Sequence, residues 1–122
     1  MSQRINRPNY QHHTLDLSNP DQAAAFTFEA NRDAGKIVLI NNAGDVGELV
    51  KLGVLDNTKL VNDYNINLVC PSILINHFIK TYRDYTAEKQ IINVSSGAGK
   101  NPIDTWSVYC AAKAGLGYIL PG

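Results

Sequence analysis

Two continuous apolar runs, KIVLINN at 36–42 and QIINVSS at 90–96, constrain this chain more than any other feature. Each turns polar only at its carboxyl end. A strand with one face in water alternates apolar and polar residues, whereas a parallel strand covered on both faces reads as an unbroken run. Parallel strands need a crossover, and the stretch between these two carries a helical pattern from Asp56 or Asn57 to about Tyr85. Leu60, Tyr64, Leu68, Ile75 and Ile79 recur near one face of it, and Pro71 is expected to kink or divide it. Alternating strands and helices of this size predict an α/β fold built on a parallel sheet.

The flanking segments extend the alternation. Residues 11–17 (QHHTLDL) read as a strand. Ser18 is the expected N-cap of a following helix, with Pro20 in its first turn and Asp21 closing a capping box. That helix is expected to run through Phe26 and Phe28 to about Arg32, ending at Gly35. Glycines 47 and 53 mark one loop, and Gly97, Gly99, Asn101 and Pro102 mark another. A last helix begins near Thr105 or Trp106 and carries YCAAK, residues 109–113.

Composition excludes several functions. Eleven basic and eleven acidic residues balance, with no block of like charge to favour nucleic acid or a membrane surface. No apolar run approaches the ~20 residues of a membrane helix, and the first residues hold no signal-peptide core. Cys70 and Cys110 stand apart and read as reduced cytoplasmic thiols. His12 and His13 are adjacent, which does not place two ligands on one face, so no metal site is expected.

A tyrosine and a lysine four apart stack on one helix face, where the cation favours the phenolate. The spacing alone is unspecific. Tyr85 and Lys89 repeat it, with Ser72 13 residues before Tyr85 as Ser96 is 13 before Tyr109. Context separates the two sets. Ser72 follows Pro71 inside a helical pattern, where a hydroxyl tends to bond its own backbone, so that set reads as coincidence. Ser96 instead closes a buried strand, and NNAG at 41–44 closes the other. In open parallel sheets ligands bind beyond the carboxyl ends of the strands.

NNAG after an apolar strand, a strand ending NVSS, and YCAAK 13 residues after Ser96 together resemble the short-chain dehydrogenase/reductase family. The resemblance runs from about residue 11 to about 117, and WSVYCAAKAG at 106–115 is most similar to the sepiapterin and benzil reductase branch. It implies a Rossmann-like doubly wound parallel sheet, present here in its incomplete central part, with residues 1–122 forming part of one dinucleotide-binding domain. It implies reduction of a small carbonyl compound by a nicotinamide cofactor, NADPH ahead of NADH, and a dimer or tetramer in the complete protein.

Roles follow residue by residue from the resemblance. Tyr109 matches the proton donor to the carbonyl oxygen, and Lys113 the residue that lowers its pKa and holds the nicotinamide ribose. Ser96 matches the group that hydrogen-bonds the substrate carbonyl. Asn67 matches the asparagine that supports the lysine through water. Asn41, Ala43 and Gly44 match the turn beside the cofactor, and Asp16 and Leu17 the pair that contacts adenine. Plainer roles stand beside these. Tyr109 and Lys113 can be an ordinary helix pair, Ser96 a strand end, Asn67 a satisfied helix polar group, and Asp16 the start of a turn.

The family's Gly-rich loop, TGxxxGxG, does not occur in the sequence, nor does GxGxxG. The chain is expected to begin just before the family's third strand and to stop inside the helix after Tyr109. The Pro121-Gly122 pair then reads as coincidence or a junction. The strand order 3-2-1-4-5-6 would leave the third strand parted from the fourth by a gap two strands wide, with bare sheet edges. The rival expectation is a non-catalytic fragment that docks on a full-length reductase through its helices.

Overall fold

A computed structural model of the protein describes residues 10–42, 53–94 and 111–116. Two parallel strands, β1 (Lys36–Asn41) and β2 (Glu88–Asn93), pair in register from Lys36 with Glu88 to Asn41 with Asn93. The connection between them is the predicted helical crossover. It consists of α2 (Asn57–Tyr64), a π-helical segment at Asn65–Val69, and α3 (Cys70–Tyr82). A short α1 (Pro20–Ala25) precedes β1, and residues 111–116 form a further helical stretch, α4.

The divided crossover follows from Pro71. It has no N–H to give the Asn67 carbonyl, and its ring crowds that carbonyl in a regular α-turn. The backbone widens by one residue just before it, so that the Cys70 N–H reaches the Asn65 carbonyl. Pro71 then sits in the first turn of α3, where a missing N–H costs nothing. Inserting a residue also turns the helix face. The buried seam runs through Asp63, Asn67, Cys70 with Pro71, Ile75, Phe78 and Tyr82, and Ile79, expected inside, is 51% exposed. The helix ends at Tyr82 rather than Tyr85, where Arg83 and Asp84 turn the chain toward β2.

The core lies between α3 and one face of the sheet. Phe78, Tyr82, Tyr85 and Ala87 are buried, with Phe28, Ile37, Leu39 and Ile91 packed on them. Val38, Ile40, Ile92 and Val94 point the other way and are exposed. The apolar runs therefore belong to strands built for two covered faces, of which the described residues cover one.

Three expectations for the first third of the chain are corrected. Residues 11–16 are not a strand, and 17–18 form a turn. A strand requires a ladder partner, and among the described residues none lies beside this segment; the Asp16 N–H instead donates to Gln22 Oε1 at 2.9 Å. The N-cap of α1 is Asn19, whose side chain accepts from the Asp21 N–H, while Ser18 turns back to Asp16. Finally, α1 stops at Ala25. Phe26 is extended, which sets Phe26 and Phe28 edge to face at 5.1 Å and Phe28 against Phe78 at 5.7 Å. Residues two apart do not meet on a helix but share one face of an extended chain. Burial of the aromatics thus overrides the helical pattern.

Candidate functional site

The carboxyl ends of the strands are joined by their side chains. Asn41 and Asn93 face each other in the last register pair, and Asn41 Nδ2 donates to Asn93 Oδ1 at 2.9 Å. Asn41 is buried, and its carbonyl accepts the Val94 N–H at 2.9 Å, so the ladder continues one step beyond the strand. Asn41 was marked by the NNAG motif. Asn93 heads the NVSS motif, but the sequence assigned it no role of its own.

On the crossover, the π segment presents Asn67 inward with no solvent exposure. Its Nδ2 donates to the Asp63 carbonyl at 2.9 Å. That carbonyl is four residues back, where a regular helix would use it for the Asn67 backbone N–H. A wide turn leaves carbonyl capacity for side chains, and such turns recur at functional sites. Asp63 is itself buried at 7% exposure. The hydrophobic pattern had drawn the seam through Leu60, Tyr64 and Leu68, whereas the deepest positions of this half are the polar Asp63 and Asn67.

Lys113 lies on α4 and is 6% exposed. This helix packs on the π segment: a Cβ at Gly115 would stand 3.4 Å from both terminal carbons of Leu68, the neighbour of Asn67. Ala112 and Leu116 are buried on the same stretch. The elements carrying Lys113 and Asn67 are thus packed together. Ala43, Gly44, Ser96 and Tyr109 lie outside the described residues.

Asp16 forms the turn that its plainer role required. Its Oδ1 accepts the Ser18 hydroxyl at 2.6 Å and the Ser18 N–H at 3.0 Å, and these bonds hold its carboxyl below the usual value, the hydroxyl contributing most. Leu17, next to it, is half-buried. The turn is tied to the crossover by Asn65, whose Nδ2 donates to the Ser18 carbonyl at 3.1 Å. Beneath lies Cys70, fully buried, whose thiol is pushed up by burial first and by the negative charge of Asp16 second. An open groove of about 400 Å³ beside α1 is lined by His13, Leu15, Gln22 and Phe26 among others, and none of the residues marked by the motifs lines it.

The competing tyrosine–lysine pair has no shared helix face. Tyr85 is buried in the aromatic core under Arg32, at 4.4 Å from the guanidinium carbon to the ring centre. Lys89 lies on β2 with its Nζ toward the Arg83 carbonyl, and Ser72 spends its hydroxyl on the Leu68 carbonyl at 2.6 Å. Those three residues are structural. Among the described residues no helix is long and apolar enough to cross a membrane.

Comparison with known proteins agrees with this geometry. The family model for short chain dehydrogenase matches residues 2–119. A benzil reductase ((S)-benzoin forming) of Bacillus subtilis (strain 168) is 37% identical over 110 residues, covering 85% of this chain and 45% of its own length. A sepiapterin reductase of Xenopus tropicalis is 37% identical over 84 residues, covering 66% of this chain and 32% of its own. Among solved structures, a metagenomic short-chain oxidoreductase in complex with NADP superposes with a TM-score of 0.72 at 30% identity, over 88% of this chain and 48% of that one. The chain spans less than half the length of the two reductases. With a parallel α/β sheet, polar residues gathered at its strand ends and a family model matched over nearly every residue, the chain belongs to the short-chain dehydrogenase/reductase family.

Proposed function

We propose that this chain carries the catalytic side of a nicotinamide-dependent reductase acting on a small carbonyl compound, a ketone or diketone of the kind named for its benzil and sepiapterin reductase relatives. Residues 1–122 are taken as part of one dinucleotide-binding domain, oligomeric in the complete protein. The observation that carries the reading is the burial of Asn67 in the π turn, with the helix of Lys113 packed on that same turn.

The residues present fit the ribose end of such a cofactor. A lysine almost withdrawn from water and a fully buried asparagine are a donor set suited to sugar hydroxyls and an ordered water. NADPH is favoured, since a 30% identical structure holds NADP. The adenine end falls to the turn at Asp16 and Leu17, and the rim between to Asn41, Ala43 and Gly44. The pyrophosphate has no TGxxxGxG loop in this sequence.

When bound, the cofactor supplies the hydride. The chain's own residues do the rest. Ser96 hydrogen-bonds the substrate carbonyl and orients it. Tyr109 gives its phenolic proton to that oxygen as charge develops there, a general-acid role. A free tyrosine has a pKa of about 10, so Lys113 lowers it with its positive charge and lets the proton leave near neutral pH. Asn67 holds a water against Lys113, through which the phenol is reprotonated.

A chimera tests the reading. Residues 10–116 replace the matched segment of the Bacillus subtilis benzil reductase, which supplies the remaining sheet. NADPH-dependent reduction of benzil is expected, abolished by Tyr109→Phe with NADPH binding retained. Near-normal turnover in the Tyr109→Phe chimera would sink the assignment.

A further inference from the structure

Asn65 opens the π segment, and its two polar ends serve two different elements. Its backbone carbonyl accepts the Cys70 N–H and so closes the wide turn that presents Asn67. Its side-chain Nδ2 crosses 47 residues of sequence to the Ser18 carbonyl at 3.1 Å. Ser18 in turn is bonded to Asp16 through both its N–H and its hydroxyl. One side chain therefore links the turn of Asp16 and Leu17 to the turn of Asn67. Nothing in the hydrophobic pattern or the motifs marks position 65.

We propose that Asn65 is a positioning residue, a latch that fixes the Asp16–Asn19 turn on the π segment so that this turn and the turn of Asn67 hold one geometry. Its meaning for cofactor binding rests on the reductase reading above; the latch itself does not. The donor is specific, because the Ser18 carbonyl accepts and only an N–H or O–H at position 65 can satisfy it. Cys70 reports on the latch. It lies fully buried at the end of the π segment, close enough to the turn for the charge of Asp16 to act on its thiol.

The experiment compares the 122-residue chain with its Asn65→Asp variant. Cys70 is modified with methyl methanethiosulfonate and quantified in the tryptic peptide 60–80, apart from Cys110 in peptide 101–113. At pH 7 the introduced carboxylate faces a carbonyl and cannot donate. Cys70 is expected to react about ten-fold faster than in the wild type, the factor that loss of one hydrogen bond of ordinary net strength sets. Protonation restores a donor, so the variant-to-wild-type ratio falls toward one as the pH is lowered to about 4, the ordinary aspartate range. Simple loss of stability would not be repaired by protonating that one carboxyl. Equal rates at pH 7, or a ratio unchanged between pH 7 and about 4, would overturn the latch. In the benzil reductase chimera, whose remaining sheet comes from the full-length relative, NADPH is expected to slow Cys70 modification. If it does not, while the Asn65→Asp ratio behaves as stated, the latch stands and the cofactor reading fails.

Discussion

Asn41 and Asn93 close the carboxyl ends of β1 and β2 with a 2.9 Å side-chain bond across their last register pair. The donor is on the more buried partner, and this decides the effect of mutation. Asn93→Ala strands a buried amide, which costs about 1–3 kcal/mol. Asn93→Asp keeps the accepting oxygen and should cost much less. Denaturant unfolding of the two variants checks the difference, and equal losses would mean that the bond contributes nothing.

Pro71 and the π turn make a second case. Pro71→Ala returns the N–H that the Asn67 carbonyl lacks and removes the ring that crowded it. A regular α-turn would shift the helix face by about 100° for the residue lost. The seam of α3 resists that shift, so the expected result is partial. Far-UV ellipticity holds or increases, while the Asn67 side-chain amide exchanges faster with solvent, by roughly ten-fold if its bond to the Asp63 carbonyl is lost. NMR exchange of that amide is the measurement.

How much of this could be read from sequence depends on which interaction rules each position. The parallel pair of strands and the helical crossover were legible, because long apolar runs and a breaking proline act locally. NNAG marked Asn41 and YCAAK, in its context, marked Lys113, and both are buried. The extent of α1 was not, since Phe26 and Phe28 turn extended to reach Phe78, 50 residues away from Phe28 in sequence. Nor was the tilt of the crossover, because the π turn moves burial from Ile79 to Phe78. The bonds of Asn65 and Asn93 were not legible for one reason. Each is defined by a partner about 50 positions distant, and a polar residue shows no periodicity that would give its partner away.

The aromatic core offers a stability test away from the site. Tyr82 is buried and donates its hydroxyl to the Glu29 carbonyl at 2.7 Å, and its phenol is pushed up in pKa by that burial first and by the neighbouring Tyr85 and Glu29 after it. Tyr82→Phe keeps the ring contacts with Phe28, Phe78 and Tyr85 and removes only the bond. The expected loss is about 1 kcal/mol, a Tm lower by about 4 °C for a domain of this size. A Tm within 1 °C of the wild type would show that the hydroxyl contributes nothing net.

Asp16 sets a pH dependence with a definite sign. Its folded pKa lies below the ordinary 3.8, so its bonds to Ser18 contribute above that value and are lost as the pH falls through the folded one. The group is solvent-exposed, and the effect should be local. The Ser18 backbone amide resonance is expected to move toward its unstructured position only below pH 3.8. Asp16→Asn, which still accepts a bond but does not titrate, should flatten that curve. Movement at higher pH would reverse the sign and refute the assignment.

The contact between Gly115 and Leu68 is what allows α4 to lie against the π turn, and it separates two substitutions that look alike. A methyl group at 115 would meet the Leu68 side chain at 3.4 Å, an ordinary van der Waals distance. Gly115→Ala should therefore be tolerated, and it gains up to about 1 kcal/mol of helix propensity. Gly115→Leu adds three further carbons where Leu68 already stands. Overpacking of this kind costs about 1–3 kcal/mol and is relieved most easily by pushing α4 outward. That displacement would carry Lys113 away from Asn67. In the benzil reductase chimera Gly115→Ala should keep turnover within about two-fold, while Gly115→Leu should lose it by a larger factor than its change in Tm accounts for. If both variants lose turnover only in proportion to stability, the packing of α4 on the π turn supports the fold and not the site.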